Sequence, residues 1–121
     1  MSLREETSLD LLVETDRGAV RGIRRRGVRM WRGIPYAAST GGARRFGAPE
    51  PAPPWDDVRD ASTFGPVAPQ NRKGQFIGAH PRLPRSEDCL SVNVTVPDEP
   101  VVDRPVMVFI HGEDNEFAAA F

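Results

Sequence analysis

The stretch Arg104-Pro105-Val106-Met107-Val108-Phe109-Ile110-His111-Gly112 decides how this chain folds. Val106 to Ile110 is apolar at every position rather than every second one, which is the pattern of a central strand covered on both faces. Pro105 opens the run, and His111-Gly112 turns the chain at its carboxyl end. Just upstream, Leu90, Val92, Val94 and Val96 alternate with Ser91, Asn93 and Thr95, so Leu90 to Val96 reads as a strand buried on one face. Residues 97 to 104 are short enough to join the two strands as a hairpin, giving a pair of core strands over 90–110.

The amino-terminal third reads as a meander over residues 11–32. Its strands are Leu11 to Glu14, Ala19 to Arg24 and Val28 to Arg32, with turns at Asp16-Arg17-Gly18 and Arg26-Gly27. The middle strand alternates imperfectly, because Val20 and Ile23 are three apart, and this leaves its register open. From residue 33 to 85 proline, glycine and small residues dominate. So long an irregular connection is a surface wrap that depends on a larger body. Within it, Trp55 to Phe64 has room for one short helical turn, and Phe46, Trp55, Val58 and Phe64 are spaced as anchors pinning the loop to a core beneath.

Composition narrows the classes of function. The chain has 121 residues, 39% of them hydrophobic, with 12 prolines and 11 glycines, which suits a loop-rich domain rather than a helical bundle. Sixteen basic side chains balance 17 acidic ones to a net charge of −1, so no single-sign field attracts nucleic acid or an anionic membrane. Arg24-Arg25-Arg26 reads as a solvated hairpin end. The charged start, Met1 to Glu6, precedes no apolar stretch of signal-peptide length, and no run approaches the roughly 18 apolar residues that span a bilayer. A cytoplasmic location is expected. Cys89 is the only cysteine, so it has no internal disulfide partner, and no Cys/His cluster has the spacing of a metal site.

Several motifs then fall in order: Thr15-Asp16-Arg17-Gly18-Ala19-Val20-Arg21-Gly22, Gly33-Ile34-Pro35-Tyr36-Ala37, Arg45-Phe46 with Pro49, Pro54-Trp55, Phe64-Gly65-Pro66 with Pro69-Gln70, Ser86-Glu87-Asp88-Cys89-Leu90, and Pro105 to Gly112. Together they resemble the amino-terminal part of the type-B carboxylesterase family, which includes the cholinesterases. The resemblance implies an α/β class protein: the amino-terminal portion of an α/β-hydrolase fold, mainly antiparallel strands and long loops, with an incomplete central sheet. It implies ester hydrolysis through a serine acyl-enzyme, a small ester as substrate, and no cofactor. It further implies a structural salt bridge between Arg45 and Glu87. At the family position that usually bonds to the cysteine of Glu-Asp-Cys, this chain has Ala68, which leaves Cys89 a small buried hydrophobe.

The same resemblance shows what is lacking. The family's nucleophile stands in Gly-x-Ser-x-Gly on a strained strand-to-helix turn, and no such pentapeptide occurs. Ala37-Ala38-Ser39-Thr40-Gly41 imitates it poorly, and His80 reads as solvated. The family's acid and histidine follow the nucleophile, beyond Phe121. Its oxyanion loop reads His-Gly-Gly followed by Gly or Ala, because bare backbone N–H groups must approach the substrate. Here Gly112 is followed by Glu113 and Asp114, which add bulk and negative charge where an oxyanion forms. Residues 113–121 thus read as a divergent tail. The expectation is a family member truncated before its nucleophile and inactive alone, with a non-catalytic cholinesterase-like binding module or one piece of a split esterase as alternatives. The ester itself and the oligomeric state stay open.

Overall fold

Thr15 closes the first turn. Its hydroxyl accepts from the N–H groups of Arg17 and Gly18, at 3.1 and 3.2 Å, and donates to the Gly18 carbonyl at 2.8 Å. The computed structural model describes residues 11–70, 82–99 and 102–111. The turn brings β1 (Leu12–Glu14) antiparallel to β2 (Ala19–Arg21). A second turn joins β3 (Ile23–Arg25) to β4 (Val28–Pro35), and its two central residues, Arg26 and Gly27, have φ of +51° and +77°. Positive φ at both positions is what a two-residue turn needs to match the twist of the strands it connects.

The meander expected over 11–32 divides at Gly22. β1 and β2 form one sheet with β5 (Arg59–Asp60), while β3 and β4 form another with β6 (Ser91–Pro97). Packing at Gly22 explains the division: a Cβ there would lie 2.3 Å from the Met30 carbonyl oxygen and 2.8 Å from the Trp31 ring. The bare backbone lets β4 and its indole close over the point where the chain changes sheets. The three-residue spacing of Val20 and Ile23 is the trace of this break. Val20, Trp31 and Ala61 form the buried cluster, with Leu11, Ile34, Trp55 and Val96 packed against it. Both indoles are satisfied, Trp31 Nε1 donating to the Leu11 carbonyl at 2.9 Å and Trp55 Nε1 to that of Ala19 at 2.8 Å.

β6 pairs antiparallel with β4, from Val28↔Pro97 to Pro35↔Ser91, with a register shift between Trp31 and Ile34. The shift is held by Gly33, whose φ is +68° and whose N–H donates to Asn93 Oδ1 at 2.9 Å, while Arg32 N–H donates to the Ala61 carbonyl at 2.8 Å. Glycine is required there, since a Cβ would sit 3.0 Å from Gly65 N and 3.1 Å from the Thr63 oxygen. Asn93→Ala strands the Gly33 amide and is expected to cost about 1–3 kcal/mol, read as a lower urea midpoint at unchanged slope. Asn93→Asp, which keeps the acceptor, loses less.

Four expectations are corrected. The strand at residues 91–97 pairs with β4 rather than with Val106 to Ile110, and that run joins no strand among the described residues. A run apolar on both faces needs cover on both faces, and the described part of the chain offers none. The valine face of β6 reaches the cluster only at Val96, leaving Val92 and Val94 at 43% and 40% exposure. Residues 55–64 hold β5 and no helical turn. Of the four anchors only Trp55 packs against the cluster, and Phe46 is 97% exposed. Val58 and Phe64 are each nearly half exposed, and the Arg32 guanidinium lies 4.3 Å from the Phe64 ring centroid. The core these residues were read as pinning is too small to receive them.

Candidate functional site

The loop between β4 and β5 carries the best-organised cluster of polar side chains. After β4 ends at Pro35, the Tyr36 N–H donates to the Leu90 carbonyl and the Ala38 N–H to that of Glu50. A single 3-10 turn, Gly42–Arg44, then places Arg45, whose Nε lies 3.3 Å from Glu87 Oε1. Arg45 and Glu87 therefore meet across the chain, as the resemblance implies. Thr40 Oγ1 donates to the Glu87 carbonyl at 3.0 Å, and Arg44 Nε lies 2.9 Å from Glu50 Oε2. Thr40 and Glu50 were not singled out from sequence, because neither belongs to a spacing that local periodicity exposes.

The Arg45–Glu87 pair is too wet to dominate stability. Its side chains are 61% and 40% exposed, so the several kcal/mol of a buried pair do not apply. Arg45→Ala is expected to cost less than ~1 kcal/mol, and the loss should shrink further when the urea titration is repeated in about 1 M salt. The arrangement is a strut and has no group placed to act on a substrate.

Ser39 follows β4 by four residues, so a strand does lead toward it, but what comes next is the single turn rather than a helix. Its hydroxyl accepts from the Gly41 N–H at 3.2 Å and so serves its own loop. Cys89 is a free thiol, half-buried. Burial first, then the neighbouring Asp88 carboxylate, pushes its pKa up, which keeps it protonated and unreactive near neutrality. Among the described residues no group of three or more His, Cys, Asp or Glu side chains is placed to hold a metal ion.

Of the remaining candidate residues, His111, Gly112, Glu113 and Asp114 follow the Val106–Ile110 run in sequence. His111 is exposed. Gly112, Glu113 and Asp114, together with His80, lie outside the described residues. The described residues thus hold the Arg45–Glu87 strut and the exposed run that ends at His111.

The description "Carboxylesterase family" belongs to the family model that matches residues 9–120. Para-nitrobenzyl esterase of Bacillus subtilis (strain 168) is 48% identical over 102 residues, covering 84% of this chain and 21% of that protein. Human carboxylesterase 3 is 42% identical over 115 residues, covering 83% of this chain and 20% of that protein. A solved thermophilic PNB esterase superposes with a TM-score of 0.83 at 45% identity, over 89% of this chain and 22% of the other. The chain therefore spans about a fifth of the length of these relatives. Its strands are a portion of the α/β-hydrolase fold that the solved relatives complete.

Proposed function

Because this chain belongs to the carboxylesterase family, we propose that it is the amino-terminal portion of a serine esterase that cleaves small carboxylic esters when joined to segments of the kind its relatives carry beyond the matched fifth. The observation that carries the reading is the family match over residues 9–120 together with 48% identity to an esterase named for its para-nitrobenzyl substrate. In that chemistry a serine Oγ attacks the ester carbonyl, a histidine accepts the serine proton and passes it to the departing alkoxide, and water then releases the acyl group. The serine, the histidine and its acid partner belong to the segments outside this chain's match. On this reading the chain contributes the strut at Arg45 and Glu87 and, by the family resemblance, the start of the oxyanion loop at Gly112.

Glu113 and Asp114 stand in sequence where the family resemblance expects small residues, and carboxylates at those positions would oppose the new negative charge. The reading therefore includes a low turnover even in a completed enzyme, and none in this chain alone. A cytoplasmic, reducing location accompanies it, supported by the Cys89 thiol standing without a cysteine at position 68. No helix among the described residues is long and apolar enough to cross a membrane.

The test is a p-nitrophenyl ester assay of the pure chain and of the chain fused to the carboxyl-terminal remainder, about four-fifths, of para-nitrobenzyl esterase. Turnover is expected only in the fusion, and abolished there by replacing the nucleophilic serine. Serine-dependent turnover by the pure chain, or a folded fusion with none, would overturn the reading.

A further inference from the structure

We propose that Arg29, near the turn end of the β3–β4 hairpin, is the centre of a binding site for a phosphoryl oxyanion. The site is separate from the esterase reading and stands or falls without it.

Strand pairing sets two guanidinium-bearing residues side by side. Arg29 on β4 is directly opposite Arg24 on β3, and on its other flank it is opposite Val96 of β6. Directly opposite residues of an antiparallel pair project to the same face, where like charges repel. Asp98, just past β6, answers this charge unevenly. Both of its carboxylate oxygens accept from Arg24 Nε at 2.8 Å, whereas Arg29 Nε lies 3.8 Å from Oδ1, beyond hydrogen-bond length. The carboxylate is committed to Arg24, and Arg29 feels it only at a distance.

Arg29 Nε is buried and has no hydrogen-bond partner. The guanidinium carbon lies 5.9 Å from the centroid of the Trp31 ring, which gives the group a packing surface and no acceptor. A buried donor without an acceptor is costly, and more so when it belongs to a charged group. The side chain is nonetheless 24% exposed, so part of it meets solvent. Turning the fork outward sacrifices no hydrogen bond of Nε, and it offers Nε and Nη donors along one edge to a ligand.

The donor set selects the ligand's chemistry. Two parallel N–H groups match the paired oxygens of a carboxylate or of a phosphoryl group. The surroundings favour the more highly charged of the two. Arg25 and Arg26 follow at the turn and are exposed, so the hairpin end concentrates positive potential although the whole chain carries a net charge of −1. A phosphoryl dianion gains more from that potential than a carboxylate does, and it keeps a further oxygen for another donor.

The experiment follows the arginine Nε–H resonances of the 121-residue chain by NMR while sodium phosphate replaces sodium chloride at constant ionic strength. The Arg29 resonance is expected to move saturably, with a Kd of about 1–10 mM, while that of Arg44, already 2.9 Å from Glu50, stays in place. Arg29→Lys keeps the charge but loses the fork, and should weaken phosphate about fivefold or more. Arg25→Gln with Arg26→Gln should weaken it about threefold, mainly at low salt. Glycerol 3-phosphate identifies the source of the phosphoryl group: affinity equal to that of phosphate supports a phosphate monoester, and loss of binding supports free phosphate. Three results would overturn the proposal. One is an Arg29 resonance that responds to phosphate no more than to chloride, and another is an Arg29→Lys variant that binds phosphate as tightly as the unaltered chain. The third is an Arg29 Nε–H at its random-coil position, because the strand pairing that builds the site would then not form in solution.

Discussion

Gly22→Ala is expected to cost the isolated chain on the order of 3 kcal/mol, most of its margin for folding. The added methyl group would lie 2.3 Å from the Met30 carbonyl oxygen and 2.8 Å from both Cδ1 and Nε1 of Trp31. Neither neighbour yields cheaply. Met30 is held in the middle of β4, paired with Ile23, and Trp31 is one of three residues in the buried cluster. The Trp31 indole and the Gly22 N–H also share an acceptor, each donating to the Leu11 carbonyl at 2.9 Å. Moving the indole therefore loosens β1 and the core together. Overpacking costs about 1–3 kcal/mol and a broken buried hydrogen bond about 1 more, so the total is on the order of 3 kcal/mol. Ordinary margins are roughly 5–15 kcal/mol, and a cluster of a single indole, a valine and an alanine starts near the bottom of that range, so the loss removes most of the stability and brings the urea midpoint close to zero. The control is Gly27→Ala, where φ is +77° but no atom lies within 4 Å of the new Cβ, so only ~1 kcal/mol of backbone strain is expected. Tryptophan fluorescence through a urea titration separates the two. Equal midpoints for both variants would mean that the indole does not pack on Gly22.

The same position shows where sequence reasoning succeeds and where it stops. Strands β1, β4 and β6 and the Arg26-Gly27 turn are legible because their signals are local, whereas β2 and β3 read as the single strand Ala19 to Arg24. The split at Gly22 is visible as an irregular spacing between Val20 and Ile23, yet its cause is an indole contributed by another strand, and no local window contains it. The pairing of β6 with β4 is hidden for the same reason. It depends on Asn93 reaching the Gly33 N–H, 60 residues away in the chain, whereas a hairpin with the adjacent run is the choice that proximity favours. Arg24 illustrates a smaller miss. It reads as part of a solvated basic run, but its Nε donates to both carboxylate oxygens of Asp98 at 2.8 Å, and the Asp98 N–H donates to the Gly27 carbonyl, which ties the hairpin tip to the end of β6. Arg45 and Glu87 became legible only through the family resemblance, since a separation of this length has no periodicity to betray it. Phe46 was misread because an aromatic side chain in a proline- and glycine-rich loop reads as an anchor, yet it is exposed here and does not reach the cluster.

Changing Glu113 and Asp114 to glycine in the fusion with the para-nitrobenzyl esterase remainder is expected to raise kcat by about 10²–10³, the scale of one oxyanion donor. The argument is electrostatic and steric at once. When the serine adds to the ester, the carbonyl oxygen acquires a full negative charge that must be met by N–H groups already in place. On the proposed reading, a carboxylate near 4 Å from that oxygen would oppose the charge by up to ~4 kcal/mol at an effective dielectric constant of 20, and any side chain at an oxyanion-loop position would obstruct the approach of the N–H groups. Ground-state binding feels little of this, because the neutral carbonyl has no charge to repel, so KM should move far less than kcat. The two contributions are separable. Glu113→Gln with Asp114→Asn removes both charges while keeping the bulk, and should recover roughly half of the gain in ΔG‡ if charge and access matter equally. If the amide variant matches the glycine variant, charge alone impairs the loop, and if it matches the unaltered fusion, the backbone must be bare before it can donate. A glycine pair that leaves kcat unchanged in a folded, serine-dependent fusion would mean that residues 113 and 114 do not face the oxyanion, and the assignment of Gly112 to that loop would fall with it.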